Sequence, residues 1–299
     1  MSVSGEPWPV TPLDPGFAYA VLAALLWGTF LYVNKRYFPE YPSAAFMAAT
    51  FTLAAVWHLP VTVVARSEPV ALSPADWAFV AWTVLTLAVG LLLLFRALGV
   101  GDVSYVAPIS KTTPAFVVPI EVALLGQRLG PLQVGGVVLA TLAVYVANYR
   151  GEGLLAPLRT AAHSRPAQLA LASAATLGVL NVSQRVVLQE VGLDPLVWLP
   201  VKLGGAAALL APVAVRSPLP DLRADLPNLL AAGALLAAGE HAIVRAFDAL
   251  PASLASPVVS TQAIVAVLLG GVLLGEEYLE IRLAAAAVAA LGVLLIAVA

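Results

Sequence analysis

The sequence predicts an all-α integral membrane protein of ten transmembrane helices, arranged as two inverted five-helix repeats. Three observations predict it. The 299 residues are 61% hydrophobic and only 11% charged, whereas a soluble domain carries roughly 25% charged residues; most of the surface therefore faces lipid. The apolar runs are long and do not alternate, which selects helices over a β-barrel. The chain also aligns with itself when shifted by about half its length.

The opening, "MSVSGEPWPVTPLDPGF", lacks the basic stretch of a signal peptide and carries Glu6, Asp14 and four prolines, so residues 1–15 read as a polar tail before a retained first helix. A membrane-crossing helix needs about 20 apolar residues. Such runs occur at about 16–33, 43–65, 76–97, 104–125, 130–149, 167–187, 194–216, 226–248, 251–275 and 279–299. Tight separators such as "GVGD" (Gly99–Asp102), "GQRLG" (Gly126–Gly130) and "GEEYLE" (Gly275–Glu280) make sequential helices antiparallel neighbours. The longest connection, 150–166, divides the chain into repeat 1 (16–149) and repeat 2 (167–299). Net charge is −2 without any block of like charge, which excludes a nucleic-acid partner. Cysteine is absent, which removes disulfides and thiolate metal sites.

A shift of 149 lays "RALGVGDVSYVAPISKTT" (Arg96–Thr113) on "RAFDALPASLASPVVSTQ" (Arg245–Gln262), matching Arg96 with Arg245, Ser104 with Ser253, Pro108 with Pro257 and Thr112 with Thr261. A shift of 150 sets Gly28–Arg36 on Gly178–Val186. An odd number of crossings per unit inverts the second copy in the membrane. Inverted repeats commonly build a central site with two alternating access states.

The "LLWGTF" near the end of the first helix, the alanine-leucine opening of the fourth unit, its mid-helix proline, and the helix-turn-helix ends "LLGQRLGPLQVGG" and "LLGEEYLEIRLAA" resemble the EamA-type half of the drug/metabolite transporter superfamily. The resemblance covers both halves. It implies a ten-helix secondary carrier of small metabolites, often an exporter. Two departures stand out: Gly126-Gln127 lacks the acid kept at Gly275-Glu276, and Trp27 is matched by Leu177. Orientation has two opposed readings. Nine Lys and Arg in one set of loops against four in the other place both termini outside, whereas the resemblance implies both inside.

Charged groups in the bilayer core need partners or water. Lys111 lies about 4–5 Å from the middle of its span at 1.5 Å per residue, between Pro108 and Pro114, which free backbone carbonyls. With Ser110 and Thr112 it makes a candidate substrate pocket, proline-distorted helices being where carriers bind; the alternative is a structural ion pair or snorkelling. Glu240 and His241 are adjacent in the eighth span and form a candidate proton-coupling pair, although they lie about 100° apart around the helix. The alternative is that Glu240 merely neutralises Lys111 or Lys202. Lys202, between Pro200 and Gly204, is expected to sit in a structural ion pair. Asn181, Gln184 and Arg185 share a helix face, as interhelical glue or as pathway lining, and Asn34 takes the matching place in the first helix. Trp27, ahead of Gly28, can wall a cavity. Glu121 is expected near interfacial water, and His58 as a packed or interfacial residue.

These features favour a secondary active transporter, an exporter or exchanger of a small organic metabolite such as an amino-acid-like solute, working by alternating access in the cell membrane as a monomer or homodimer. Protons are a candidate coupling ion. No cofactor or metal is expected: no GxxxxGK[ST] motif serves ATP, no HExxH motif is present, and the three histidines are scattered. An enzyme acting on lipid-linked substrates and a channel are the alternatives.

Overall fold

The computed structural model describes residues 14–65, 71–100, 110, 112–147, 164–216, 223–262, 264–266, 268–269, 284, 287–288, 290–292 and 294–296. They form helices α1 (Pro15–Tyr37), α2 (Ser43–Ala65), α3 (Pro74–Val100), α4 (Thr113–Leu125), α5 (Pro131–Ala147), α6 (Arg165–Gln189), α7 (Pro195–Ala214), α8 (Leu226–Ala249) and α9 (Ala252–Ser260). The described residues between 284 and 296 are helical as well, and no strand occurs among the described residues. Helices α1, α2, α3, α6, α7 and α8 are long and apolar enough to span a bilayer, and α4, α5 and α9 are shorter apolar helices. The all-helical membrane architecture read from the sequence is thus present.

Local chemistry sets the helix starts. Asp14 and Asp194 stand before Pro15 and Pro195, and their carboxylates accept from the first free amides, Gly16 N at 2.7 Å and Leu196 N at 2.8 Å. At α3, Ser73 and Asp76 cap each other reciprocally: Asp76 N donates to Ser73 Oγ at 3.2 Å and Asp76 Oδ2 accepts from Ser73 N at 3.0 Å. Along the outward faces, Leu22, Val63, Val64, Leu124 and Leu142 are exposed, as lipid-facing side chains must be.

The packing follows the repeat. Helix α1 runs against α8 and α3 against α6, while α2 pairs with α7 and α4 meets α9. Exchanging the two repeats turns the first pair into the second and leaves the others unchanged, as a pseudo-twofold axis requires.

Glycines fix this register at atomic scale. A Cβ on Gly28 would stand 2.5 Å from Val265 Cβ and 2.7 Å from the Gln262 carbonyl; one on Gly178 would stand 2.9 Å from Phe116 Cβ and 3.5 Å from the Thr113 carbonyl. Val265 and Gln262 are the counterparts of Phe116 and Thr113 under the 149-residue shift. Each glycine therefore lets the first helix of one repeat touch the fourth helix of the other at the same place. Likewise Gly90 faces Leu177, and Gly239 faces Trp27.

Candidate functional site

Three helices of the second repeat converge on a buried polar cluster. From α7, the Lys202 ammonium donates to Gln184 Oε1 of α6 at 2.7 Å and to Glu240 Oε2 of α8 at 2.6 Å. The Trp198 indole N–H points at the same Gln184 oxygen at 3.4 Å. All four side chains are buried, so the ion pair is shielded from water. The ion pair expected at Lys202 is formed, and Glu240 is its partner.

The first repeat has nothing similar at the corresponding place. Gly205 of α7 receives Val84 of α3 just as Gly233 of α8 receives Leu53 of α2, which makes Leu53 the counterpart of Gly205 and Thr50 that of Lys202. Thr50 is content with its own helix, donating to the Phe46 carbonyl at 2.8 Å. Leu91 replaces Glu240, and Asn34 replaces Gln184. A symmetric scaffold thus carries its charged pair in one copy only.

A hydrogen-bonded chain lies beside the cluster. Pro200 has no N–H, so the Leu196 carbonyl loses its intrahelical donor. The Thr62 hydroxyl of α2 supplies one at 2.6 Å. With that proton spent, Thr62 Oγ1 accepts from His58 Nδ1 at 3.1 Å, and a neutral His58 accepts at Nε2 from His241 Nδ1, also at 3.1 Å. The network therefore assigns the tautomers and leaves His241 Nε2 as the end of the chain.

A second buried cluster joins the repeats where α4 and α6 end. The Glu121 carboxylate of α4 accepts from Ala252 N at 2.7 Å and Ser253 N at 2.6 Å, capping α9, whose preceding Pro251 offers no side-chain cap. Arg185 Nη1 of α6 lies 3.5 Å from the same carboxylate. Arg185 Nε donates to Gln189 Oε1 at 2.8 Å, and the Gln189 amide donates to the Phe247 and Leu250 carbonyls at the end of α8. Glu121 is 0% exposed, so it does not reach interfacial water as its position in the sequence implied. Helices α6 and α9 cover it.

The model of the EamA-like transporter family matches residues 14–149 and, a second time, residues 165–298. The chain belongs to the EamA-like transporter family. EamA sits within the drug/metabolite transporter superfamily, whose members carry small solutes, so this chain is a multi-pass integral membrane transporter. Its fold is also similar to that of a solved structure described as "Crystal structure of protein", with a TM-score of 0.77 over 94% of this chain and 97% of that one at 18% identity. No curated protein matches it.

Within this EamA chain the residues singled out by the sequence fall in different places. Gln184 and Glu240 meet through Lys202. Asn181 does not join them: its Nδ2 donates to Ser256 Oγ of α9 at 3.0 Å, so the shared face of α6 divides between α9 and the α7–α8 pair. Glu240 and His241 part as their helical spacing demands, one toward α7 and the other toward α2. Trp27 lies against Gly239, one residue from Glu240. Ser110 is buried at the head of α4, where its carbonyl accepts from Thr113 Oγ1 at 3.1 Å, next to Thr112. Asn34 lies in the last turns of α1, partly buried. Lys111, with Pro108 and the Gly275-Glu276 pair, lies outside the described residues. Glu121 and Trp198 gain their partners only through tertiary contacts, and His58 adds His241 to its neighbour Thr62 in the same way; one local hint was Pro200, whose freed carbonyl had to be satisfied from elsewhere.

Proposed function

We propose that this EamA chain is a secondary active carrier in the cell membrane, an exporter or exchanger of a small amino-acid-like solute, working by alternating access. The observation that supports it most is the buried Lys202–Glu240 pair with Gln184, confined to one copy of a symmetric scaffold. Charges in lipid are costly and are retained where they serve transport. An ammonium and a carboxylate held side by side suit the two ends of a zwitterion: Lys202 takes the solute carboxylate and Glu240 its ammonium. Each protein charge then exchanges one partner for another without standing bare.

Around this pair we place the other substrate contacts at Trp27, Asn34, Asn181, Ser110, Lys111 and Thr112. Proton coupling is assigned to Glu240 with His241, whose Nε2 ends the hydrogen-bonded chain. The protein would act as a monomer or homodimer without a cofactor.

Reconstitution into liposomes tests the reading. Saturable counterflow of a labelled amino acid, lost in Lys202→Met and in Glu240→Gln, is expected. Unchanged counterflow in both variants refutes the site, and conductance without counterflow refutes the carrier.

A further inference from the structure

One hydrogen bond between the repeats joins two titratable rings. His58 of α2 and His241 of α8 meet Nε2 to Nδ1 at 3.1 Å, with ring centroids 5.4 Å apart. The chain behind them fixes which ring donates. Thr62 spends its proton on the Leu196 carbonyl, so its Oγ1 takes the His58 Nδ1 proton at 3.1 Å and His58 Nε2 is left as an acceptor. His241 is then protonated at Nδ1, and Nε2 is its basic nitrogen. His58 is buried and His241 is partly exposed.

The fold does not require histidines here. Under the correspondence that matches Lys202 with Thr50, His58 answers to Leu210; under the 149-residue shift, His241 answers to Leu92. Both leucines belong to the apolar core or pack against it, so the other repeat is built without the imidazoles.

The surroundings leave the pair free to titrate. On α8, Glu240 turns to Lys202 of α7, while Arg245, one turn beyond His241, is tied to Asp248 at 3.4 Å and lies over the Tyr19 ring of α1. Arg245 is the charged group that acts on His241, and Asp194 at the head of α7 acts on Asp248. Arg185 of α6 is engaged by Glu121 and Gln189, Asp76 of α3 by Ser73, and α9 has no titratable side chain. His241, Arg245 and Asp248 recur at helical spacing as a partly exposed stripe of α8. It leads about 10 Å inward from Asp248 to the pair, at 1.5 Å per residue.

We propose that His58 and His241 together form the site that holds the coupling proton, one proton shared by two rings. This role rests on the carrier reading and deepens it, adding His58 to His241 in the coupling machinery. A proton from water binds His241 Nε2. The Nδ1 proton of that ring then crosses the 3.1 Å contact to His58 Nε2, which leaves His241 neutral and His58 cationic. One proton has entered, the hydrogen bond survives, and the charge has passed from repeat 2 to repeat 1. A second proton has no place, because it would set two N–H groups and two positive rings face to face. The charged form ties α2 to α8 by a charge-assisted bond, stronger than the neutral one. Loading and release of the proton thus change the grip of one repeat on the other.

Nitrogen-15 NMR of histidine in the purified protein, held in lipid nanodiscs, tests this, with signals assigned through His58→Leu and His241→Leu. At about pH 8 both rings should be Nδ1–H tautomers, and by about pH 5 the two together should have gained a single proton. In His58→Leu, His241 should lose its Nδ1–H form, which a merely packed His58 would not cause. In His58→Gln the amide oxygen can still accept, so that form should persist. Two protons gained, none gained, or an unmoved His241 tautomer in His58→Leu overturns the pair; the count in wild type needs no variant to fold. In liposomes, accumulation of pooled labelled amino acids driven by a pH difference should be lost in His58→Leu and also in His58→Gln, which keeps the hydrogen bond but cannot carry the proton. Undiminished accumulation in His58→Gln overturns the shared site. Wild-type counterflow without any response to a pH difference removes the coupling proton and keeps the carrier, whereas absent wild-type counterflow removes the carrier reading itself.

Discussion

Lys202 and Glu240 face each other at 2.6 Å with both side chains almost wholly buried, and they are contributed by neighbouring helices of a single repeat. A buried pair of this kind is costly to break and cheap to replace as a whole. Deleting one partner strands the other charge, at about 3–5 kcal/mol, while an apolar pair of similar volume is often neutral or stabilising. Unfolding in detergent should therefore show Lys202→Met and Glu240→Leu strongly destabilised and the double variant near wild type. Transport should be absent from all three. A double variant as unstable as the singles would mean that Gln184 and Trp198 depend on the charges for their own positions.

Glu121 should govern the start of α9. Its carboxylate is the acceptor for the Ala252 and Ser253 amides and the partner of Arg185. Glu121→Ala removes the buried carboxylate beside Arg185 Nη1 and leaves the Ala252 and Ser253 amides without an acceptor, so a loss of about 3–5 kcal/mol is expected. Glu121→Gln keeps one acceptor oxygen and should fall between. Hydrogen exchange followed by mass spectrometry checks the location: protection should drop in the peptide covering 251–256 before it drops in α1.

The Thr62 hydroxyl is needed because Pro200 cannot bond the Leu196 carbonyl. Thr62→Val should cost about 1–3 kcal/mol as that carbonyl loses its donor. In a Pro200→Ala background the restored backbone N–H fills the vacancy, and the same substitution should cost less by at least about 0.5 kcal/mol, the threshold for real coupling. Additive effects across the four-protein cycle would show that the carbonyl is satisfied another way.

Interlocking of the repeats predicts matched penalties. Gly28→Ala puts a Cβ 2.5 Å from Val265, and Gly178→Ala puts one 2.9 Å from Phe116; overpacking of this kind costs about 1–3 kcal/mol, with the larger cost expected at Gly28. Gly204→Ala, where a Cβ meets nothing within 4 Å, should instead gain up to about 1 kcal/mol from helix propensity. Melting temperatures of the three variants test the order.

The helices, their repeat and the family were legible because lipid demands long apolar runs with satisfied backbones, and because Gly28, Gly178, Pro108 and Pro257 recur at matching places. Side-chain partnership was less legible. His58 and His241 are 183 positions apart, and Glu121 is 131 from Ala252; no local pattern signals such meetings. Glu121 looked interfacial because a helix end usually is, yet here other helices cover it. Conversely, the 100° between Glu240 and His241 was readable from spacing alone, and the two side chains do diverge.

The crossed pairing of α1 with α8 and α3 with α6 has a consequence for biosynthesis. Neither half keeps its helices to itself, so the first half leaves the ribosome with the grooves at Gly28 and Gly90 still waiting for Val265 and Leu177. It must persist in the membrane as an unfinished template until the second half arrives. Expressed alone, each half should be degraded. Expressed as two chains divided between 150 and 163, they should find each other and assemble, one completing the other.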